Sequence, residues 1–469
     1  MTQLMAAKQG IVTDEMRAAA AFEDADAEQI RQDIARGFTI IPKNVNHAFS
    51  PRAIGRGLRT KVNVNLGNSS DHGDPDEELR KLEMAIRKGA DSVMDLSTGC
   101  DIPGMRKKII AASTVMVGTV PIYECVRRHG LLTWTPDQLF EVIEEQAEQG
   151  VDYMTLHIGV TRESIRRASA NDHERVTGIV SRGGSIHAAW IRMHGLENPL
   201  YEQFDRLCAI LRTHDVTISL GDGLRPGSIA DSTDATQLAE LLILGEMQQR
   251  ALAASVQTMI EGPGHVPIEE IEANVVLQKK LCHGAPFYTL GPLPTDIAAG
   301  YDDIAGCVGG AIAAGAGVDM LCDLTPAEHL RLPTVEDIWR GTVSTKIAAH
   351  IGDLKKDVKG ARERNRRMSQ ARKALDWETM YALALDGEEA RRLRRESEDY
   401  EKGVCTMCGS LCSMNIDTMS MKLTEEAKEK FHAAIGRQTA KNFLPSDPNE
   451  AVLRREEAAL ARAGHHPTL

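Results

Sequence analysis

The sequence predicts an α/β fold of the (β/α)8 type, in which eight parallel strands form a barrel surrounded by helices. Between residues 60 and 325, short β-rich runs alternate with segments of helical periodicity, of which 77–88, 136–149 and 235–253 are the clearest. Eight such strand–helix units are the number that closes a barrel. The eight β-rich runs are residues 61–66, 92–96, 115–120, 153–158, 216–220, 256–260, 287–290 and 318–321.

Side chains that can bind a ligand or take part in catalysis lie at the C-terminal ends of these runs or just after them. Asn65 lies at the end of the first run, His157 lies at the end of the fourth, and Glu261 follows the sixth. Barrel enzymes collect their active sites at the rim that these strand ends form, so the pattern supports the barrel and predicts a site there. The other residues of this pattern are Met94, Asp95, Tyr123, Asp222, Tyr288 and His329.

Four regions flank the barrel, which is expected at residues 60–332. A helical lead-in is expected at 1–59, a charged helical region at 333–400, a cysteine-containing loop at 401–423 and a helical tail at 424–469. The Arg- and Lys-rich stretches of the charged region are interpreted as solvated helix faces. The whole chain carries a formal net charge of −12, which disfavours nucleic acid as a partner.

Composition indicates a reducing environment for the protein. The N-terminus lacks the apolar core of a secretory signal, and no apolar run reaches the length needed to cross a bilayer. Nine cysteines in 469 residues are too sparse for the disulfide frameworks of short secreted domains. A cytoplasmic location without a membrane partner is therefore expected.

Three cysteines near the C-terminus, Cys405, Cys408 and Cys412, lie within eight residues. Three thiolates can bind three irons of a [4Fe–4S] cluster and leave the fourth iron open, whereas a closed structural site has four protein ligands. We interpret them as ligands of a cluster with an exposed iron. The alternative is a zinc site completed by a histidine or a distant cysteine. The other cysteines are isolated: Cys100, Cys125, Cys208, Cys282, Cys307 and Cys322.

Two loops of small residues, each with one arginine, predict a phosphate-binding site. Residues 181–185 read Ser-Arg-Gly-Gly-Ser, and residues 222–228 read Asp-Gly-Leu-Arg-Pro-Gly-Ser. Backbone N–H groups in such loops can surround an anion, and arginine adds a bidentate contact. Either loop alone is also consistent with an ordinary tight turn, but two at one rim favour a phosphorylated substrate.

Two histidines on neighbouring rim loops could hold a divalent metal. His265 lies four residues after Glu261, and His329 follows the eighth run. Water or substrate would complete the metal's ligand shell. The alternative, in which one histidine only makes hydrogen bonds and no metal binds, is equally consistent with the spacing. His157 could contact substrate or act as a general acid–base group.

Longer segments over about residues 10–420 resemble the phosphomethylpyrimidine synthases, which make the pyrimidine of thiamin. The segments include VMDLSTG, GIVSRGGSI, SLGDGLRPGSIAD, MIEGPGHVP and TPAEHL. That family consists of radical S-adenosylmethionine (SAM) lyases acting on 5-aminoimidazole ribotide. The resemblance implies a barrel, SAM, a [4Fe–4S] cluster, an electron donor, and a homodimer in which the cysteine loop reaches the partner's active site.

The cysteine spacing departs from that family. Pyrimidine synthases carry C-x2-C-x4-C, whereas this chain has C-x2-C-x3-C, which resembles the anaerobic 5-hydroxybenzimidazole synthases. His187 and the pair Cys322-Asp323 also differ from the pyrimidine enzymes. We therefore expect a radical SAM carbon–carbon lyase that converts the ribotide to 5-hydroxybenzimidazole, the lower-ligand base of cobamides (vitamin B12 type cofactors), releasing formate and phosphate. Phosphomethylpyrimidine synthase is the alternative.

The resemblance also implies a role for each matching residue. His265 and His329 would bind zinc, whereas Glu261 and His157 are candidates for proton transfer on their side-chain chemistry. Cys405, Cys408 and Cys412 would hold the cluster. The residues that match substrate-contacting positions are Asn65, Met94, Tyr123, His157, Ser181, Arg182, Gly183, Asp222, Gly223, Leu224, Arg225, Glu261 and Tyr288.

Two other functional classes are consistent with the residues alone. A zinc-dependent barrel hydrolase would use His265 and His329 for catalysis and the three cysteines for structure. A binding protein for phosphorylated ligands would use the two small-residue loops without turnover. Metal analysis distinguishes the hydrolase, and an assay of SAM cleavage distinguishes the binding protein.

Overall fold

The protein forms two compact units, Met1–Arg362 and Glu363–Leu469, in a computed structural model. The structure describes residues 1–69, 73–99, 101–170, 175–397, 403–421, 424–427, 429–430 and 458. Within these ranges no helix combines the length and the apolar character that a bilayer crossing requires.

The lead-in consists of three capped helices and a short hairpin. The helices are α1 (Gln3–Lys8), α2 (Asp14–Glu23) and α3 (Ala27–Arg36), and strands β1 (Thr39–Ile40) and β2 (Ile54–Gly55) pair antiparallel. Each helix begins after a Thr or Asp whose side chain accepts a hydrogen bond from the first turn. Their apolar faces bury a small core of their own, which includes Leu4, Met16, Ile30 and Ile34.

A closed barrel of eight parallel strands follows, which confirms the predicted fold class. The last strand, β10, pairs with the first barrel strand, β3. The barrel is therefore closed, and none of these eight strands has a free edge. Each of the eight predicted runs overlaps one barrel strand. The ends of the strands differ from the predicted ends by at most two residues. The strands are β3 (Lys61–Leu66), β4 (Ser92–Asp95), β5 (Met116–Thr119), β6 (Tyr153–Leu156), β7 (Thr217–Leu220), β8 (Thr258–Gly262), β9 (Phe287–Leu290) and β10 (Met320–Cys322).

Helices cover the outside of the barrel, and the main core lies between them and the strands. Val62, Val64, Val93 and Ile218 are fully buried on the outward faces of their strands, as expected for parallel strands covered by helices. The helices are α4 (Pro75–Arg87), α5 (Ile102–Ala112), α6 (Pro121–His129), α7 (Pro136–Glu148), α8 (Arg162–Ala170), α9 (Arg182–His194), α10 (Pro199–Glu202), α11 (Phe204–His214), α12 (Ala235–Ala253), α13 (Ile268–Leu281), α14 (Asp302–Ala316) and α15 (Val335–Lys355).

The second unit contains the helices around the cysteine loop. They are α16 (Ala361–Ala374, which begins at the boundary), α17 (Trp377–Leu383), α18 (Gly387–Arg395) and α19 (Ser413–Met421). The Arg394 guanidinium lies 3.7 Å from the centre of the Trp377 ring, and Trp377 Nε1 donates to Gly403 O at 2.6 Å. These contacts attach the start of the cysteine loop to α17 and α18. Most of the predicted tail at 424–469 lies outside the described residues.

Candidate active site

A cavity of about 500 Å³ opens at the C-terminal ends of the barrel strands. Its position is the one that the strand-end pattern predicts for a barrel enzyme. The structure brings together in its lining predicted substrate residues that are far apart in sequence. These residues are Asn65, Met94, Tyr123, His157, Asp222, Arg225, Glu261 and Tyr288.

The floor of the cavity is a hydrogen-bonded layer inside the barrel. Asn63 Nδ2 donates to the Tyr288 hydroxyl at 2.9 Å, and the Tyr153 hydroxyl donates to Asn63 Oδ1 at 2.9 Å. A Cβ atom at Gly118 would lie 2.2 Å from Tyr153 Cζ, so this glycine makes room for the ring. The polar floor is therefore internally satisfied and holds the Tyr288 ring in place at the cavity.

A cysteine thiol faces the same space. Asn65 Nδ2 donates to Cys322 Sγ at 3.1 Å, and the Asn65 backbone N–H donates to Asp323 Oδ1 at 3.0 Å. Burial raises the pKa of Cys322 to about 12, so the thiol is neutral. Cys322 belongs to the lining although the sequence analysis did not place it among the site residues.

Glu261 occupies one wall at the end of β8. Its Oε1 accepts hydrogen bonds from Thr155 Oγ1 at 2.6 Å and from Ser219 Oγ at 3.0 Å. Burial raises the pKa of this carboxyl, and the two hydroxyl contacts oppose the rise. A carboxyl with a raised pKa, in contact with a cavity, is suited to proton transfer.

Arg225 and Asp222 form an ion pair on the loop after β7. Arg225 Nη1 lies 3.0 Å from Asp222 Oδ1, and the Arg225 side chain keeps 25% of its surface exposed. Burial raises the pKa of Asp222 to about 7, although the Arg225 charge opposes this. Leu224 N donates to Glu240 Oε2 at 2.7 Å, which fixes the loop from behind. The guanidinium is thereby held at the cavity, where it can contact an anion.

The loop at 181–185 lies beside the cavity and supports His157. Ser181 caps α9 by accepting from Gly184 N at 3.1 Å, and Ser181 Oγ lies 3.1 Å from His157 Nε2. A Cβ at Gly183 would lie 2.1 Å from His157 Cε1, and one at Gly184 would lie 2.0 Å from Gly223 O. These glycines are therefore required for the two small-residue loops and His157 to approach one another.

Some predicted substrate residues lie outside the lining. The Arg182 guanidinium lies 4.9 Å from the centre of the Tyr123 ring, which itself lines the cavity. Gly223 packs against Val160, and Leu224 is fully buried. Together with Ser181 and Gly183, these residues shape or back the cavity in this structure.

The predicted metal-binding histidines lie next to each other. The ring centres of His265 and His329 are 5.6 Å apart. Nδ1 of His265 lies 2.9 Å from Asp296 Oδ1, and Nδ1 of His329 lies 3.2 Å from Asp302 Oδ2. A carboxylate on Nδ1 leaves Nε2 as the ligand atom, which is the usual arrangement around a histidine-bound metal.

This histidine pair supplies two protein ligands for a metal ion. Burial lowers the pKa of His265, which favours the neutral ring that binds metals. Across the part of the chain that the structure describes, no three or more His, Cys, Asp or Glu side chains are placed to hold one ion. The pair therefore fits a metal whose other ligands come from water or substrate, as the sequence analysis expects.

The three clustered cysteines lie on one tight turn in the second unit. Gly409 N donates to Cys405 O at 3.0 Å, and Leu411 N donates to Cys408 O at 3.0 Å. Cys405 is half-buried, Cys408 is exposed and Cys412 is buried. Each cysteine of a [4Fe–4S] cluster binds a different iron, so these thiols need not converge on a single ion. The three-thiol donor set therefore fits such a cluster.

Sequence reasoning missed part of the lining. Thr155 lies two residues before His157, and the alternation of side chains in β6 puts the two on one face. That alternation could have placed Thr155 at the cavity. The apolar residues of the cavity wall have no sequence pattern that distinguishes them from ordinary core residues. The missed lining residues are Leu96, Val120, Thr155, Gly262, Thr289, Leu290 and Cys322.

Comparison with known proteins identifies the family. The model of the radical SAM ThiC family matches residues 2–419. Phosphomethylpyrimidine synthase of Geobacter metallireducens is 51% identical over 440 residues, which cover 92% of this chain and 99% of that protein. The enzymes of that name from Thermus thermophilus and Carboxydothermus hydrogenoformans are each 53% identical over 422 residues, covering 89% of this chain and 96% and 98% of those proteins. SAM and a [4Fe–4S] cluster are the cofactors implied by this match, and the chain belongs to the radical SAM ThiC family of enzymes.

Proposed function

We propose that this enzyme is a phosphomethylpyrimidine synthase, which uses SAM to convert 5-aminoimidazole ribotide to the phosphorylated pyrimidine of thiamin. Relatives of that name match nearly the whole chain at 51% to 53% identity. Those names agree better with the alternative of the sequence analysis than with its main expectation, 5-hydroxybenzimidazole. The observation that carries the choice of product is this near full-length match, and the rim cavity, in which Arg225, Glu261 and Tyr288 meet, supports the ribotide as substrate.

The cavity suits a small phosphorylated sugar. Its lining combines apolar side chains with a small number of polar and charged groups, as is usual for small-molecule sites. Arg225 would bind the phosphate, because a half-buried guanidinium pairs strongly with a dianion. The N-terminus of α9 lies beside this position and favours the same charge. Ribose hydroxyls and ring nitrogens would find partners in Asn65 and Tyr288.

The other walls would keep the reacting atoms away from water. Met94, Leu96, Val120 and Leu290 present apolar surface to the cavity. Glu261, held by Thr155 and Ser219, would give or accept a proton during rearrangement of the bound ribotide. His157, held at Nε2 by Ser181, would orient a polar group of the same substrate.

The cofactors would be held by residues that the sequence analysis selected. Cys405, Cys408 and Cys412 would hold a [4Fe–4S] cluster, which together with SAM supplies one-electron reduction and hydrogen-atom abstraction. We assign a divalent metal, with zinc as the candidate, to His265 and His329. We also propose a homodimer, in which the cysteine loop of one subunit serves the barrel of the other, with an external electron donor.

5-Hydroxybenzimidazole synthase is the second candidate. The observations that favour it are the C-x2-C-x3-C spacing and a histidine at position 187, directly behind His157. Both candidates start from the same ribotide, so substrate binding does not separate them, whereas product identity does.

The test is anaerobic incubation of the reconstituted enzyme with 5-aminoimidazole ribotide, SAM and a strong reductant, followed by mass spectrometry. The expected product is the aminopyrimidine phosphate, in amounts that depend on SAM. A hydroxylated benzimidazole would establish the second candidate. Neither product, from enzyme with a full complement of iron and sulfide, would refute both.

A further inference from the structure

A second buried histidine lies directly behind His157. His187 is 1% exposed and lies one turn after Gly183 on the same face of α9. That face packs against His157, because a Cβ at Gly183 would lie 2.1 Å from His157 Cε1. The ring centres of His157 and His187 are 6.3 Å apart, and those of His187 and Trp134 are 5.7 Å apart. The three rings form a row from the cavity into the helical layer.

The row contains polar atoms without a hydrogen-bond partner. Within the described residues, Nδ1 of His157, both ring nitrogens of His187 and Nε1 of Trp134 are buried and unpaired. Trp134 and His157 are 1% and 2% exposed. Buried polar groups are nearly always paired, and ordered internal water supplies the partner where protein does not. Four such nitrogens lie on neighbouring rings, whose centres are 6.3 Å and 5.7 Å apart, and they leave hydrogen-bond positions that an internal water can fill.

The contacts of Ser181 assign the proton of His157. Ser181 Oγ already accepts from Gly184 N and has its other contact with His157 Nε2. Among the described residues the Ser181 hydroxyl hydrogen has no acceptor other than Nε2, so we assign it to Nε2 and place the proton of the neutral imidazole on Nδ1. Burial lowers the pKa of both histidines, that of His187 to about 4, so both rings are neutral near pH 7. The Nδ1–H of His157 then needs an acceptor, and His187 can accept from a water.

We propose that His187 is a positioning residue, which binds a buried water against Nδ1 of His157 and so fixes the orientation and tautomer of His157 at the cavity. The water accepts from His157 Nδ1–H and donates to a ring nitrogen of His187. The role in turnover rests on the proposed function, because His157 acts there on the ribotide. The water itself does not depend on which reaction the cavity supports.

The test compares three variants. His187→Leu removes both ring nitrogens, His187→Gln keeps a donor and an acceptor, and His194→Gln is the control on an exposed residue of the same helix. In His187→Leu we expect kcat to fall about 10- to 100-fold, with the KM for ribotide changed less than about 3-fold, as for loss of an orienting partner. His187→Gln should recover most of the loss, and His194→Gln should behave as wild type.

High-resolution anaerobic crystal structures give a readout independent of activity. We expect one ordered water within hydrogen-bond distance of His157 Nδ1 and His187, and a rotated His157 ring in His187→Leu. Absence of that water overturns the inference whatever the enzyme's activity. Equal kinetic losses in His187→Leu and His187→Gln also overturn it, because packing alone would explain them. A third outcome separates the two proposals. If wild type contains the water and the His157 ring rotates in His187→Leu, but wild type does not turn over ribotide, the proposed function fails and the positioning of His157 by His187 stands.

Discussion

At the scale of single residues, the Arg225 guanidinium lies among buried acidic groups whose charged forms are disfavoured by burial. Burial raises the pKa of Asp222 to about 7 and that of Cys322 to about 12, and it raises the pKa of Glu261 as well. Arg225 pairs with Asp222 through Nη1 and keeps 25% of its side-chain surface exposed, so the rest of the guanidinium can contact an incoming phosphate. The cavity is therefore electrostatically prepared for an anion.

Replacement of Arg225 with alanine tests whether its guanidinium binds the phosphate of the ribotide. The KM for ribotide should rise about 10- to 100-fold, the loss expected for a hydrogen bond between charged groups, whereas the KM for SAM should change less than about 2-fold. Initial-rate kinetics measure both constants. Arg192→Ala, on the exposed surface of α9, is the matched control. An equal rise of both KM values would contradict the assignment of Arg225 to phosphate.

The sequence predicted those site residues whose side-chain type is uncommon at a strand end. Asn65, His157 and Glu261 carry functional groups that stand out there, so the strand pattern was enough to select them. Thr155 is common inside strands, and its contact with Glu261 becomes visible only once β6 and β8 are placed in the barrel. Gly183 was predicted to contact substrate, and the structure shows its contact with the His157 ring. That contact joins distant parts of the chain, so local sequence cannot show it.

At the scale of elements, two glycine-containing loops form one wall by close backbone approach. A Cβ at Gly184 would lie 2.0 Å from Gly223 O, which is backbone and cannot rotate away. The start of α9 and the loop after β7 therefore depend on each other for position.

Gly184→Ala should separate these two loops. We expect a loss of about 1–3 kcal/mol of unfolding free energy, typical of overpacking, and at least a tenfold loss of turnover because Arg225 and His157 move apart. Gly73→Ala is the control, since an added Cβ there meets nothing within 4 Å. Urea unfolding and steady-state rates are measured on both. Identical behaviour of the two variants would show that the loops do not need this contact.

The lead-in is attached to the base of the barrel through a buried carboxyl. Gln3 N donates to Asp215 Oδ2 at 2.7 Å, and burial raises the pKa of Asp215 from 3.8 to about 7. The folded state therefore binds the proton more tightly than the unfolded state. The stability from this group is complete below about pH 4 and is lost as the pH rises through about 7.

Asp215→Asn should remove this dependence, since its amide oxygen can still accept from Gln3. At about pH 8 the variant should be more stable than wild type, by up to about 4 kcal/mol for a shift of this size. The advantage should vanish towards pH 4. Urea unfolding across this pH range measures the difference. A variant that is less stable at pH 8, or a difference independent of pH, would show that the fold does not raise the pKa of this carboxyl.

The strands were predictable because short runs rich in β-branched and apolar residues alternate with helical segments, and turns bound each run. The ends of the strands were harder to predict, because hydrogen bonding to the neighbouring strands decides where a strand stops. The run at 256–260 corresponds to β8 at Thr258–Gly262, which pairs with β7 and β9. The β1–β2 hairpin was not predicted, since two-residue strands have no detectable period.

At the scale of the whole molecule, the chain divides its chemistry between two units. The cavity and the histidine pair belong to Met1–Arg362, whereas the clustered cysteines belong to Glu363–Leu469. The barrel closes and buries its core without the cysteines. Loss of the cluster should therefore affect chemistry and leave the barrel folded.

Cys408→Ala separates these two effects. We expect iron and sulfide content to fall and SAM cleavage to be lost, because two thiolates hold a cluster poorly. The far-UV circular dichroism and ribotide binding of the barrel should match wild type. Thr406→Ala, an exposed change in the same turn, is the control and should keep both iron and activity. Full SAM cleavage by Cys408→Ala would remove this residue from the cluster ligands.

The family was predictable from the sequence, because long motifs such as SLGDGLRPGSIAD and MIEGPGHVP carry many site residues at once. The cysteine spacing favours 5-hydroxybenzimidazole, whereas the names of the relatives favour the pyrimidine, so the spacing alone does not decide the product. A one-residue difference changes the geometry of the cysteine loop, whereas the product depends on how the cavity orients the ribotide and its fragments. Cys322 lines the cavity and His187 lies behind His157, and the sequence predicts that both differ from the pyrimidine enzymes.

In the proposed function, the rim cavity would hold the ribotide so that its ribose gives up a hydrogen atom to the adenosyl group of SAM. The most direct measurement uses ribotide deuterated throughout the ribose, with mass spectrometry of the 5′-deoxyadenosine formed under reducing, anaerobic conditions. The account predicts deuterium in 5′-deoxyadenosine with wild type and a much smaller yield of labelled product with Arg225→Ala. Unlabelled 5′-deoxyadenosine from enzyme that consumes the ribotide would contradict it.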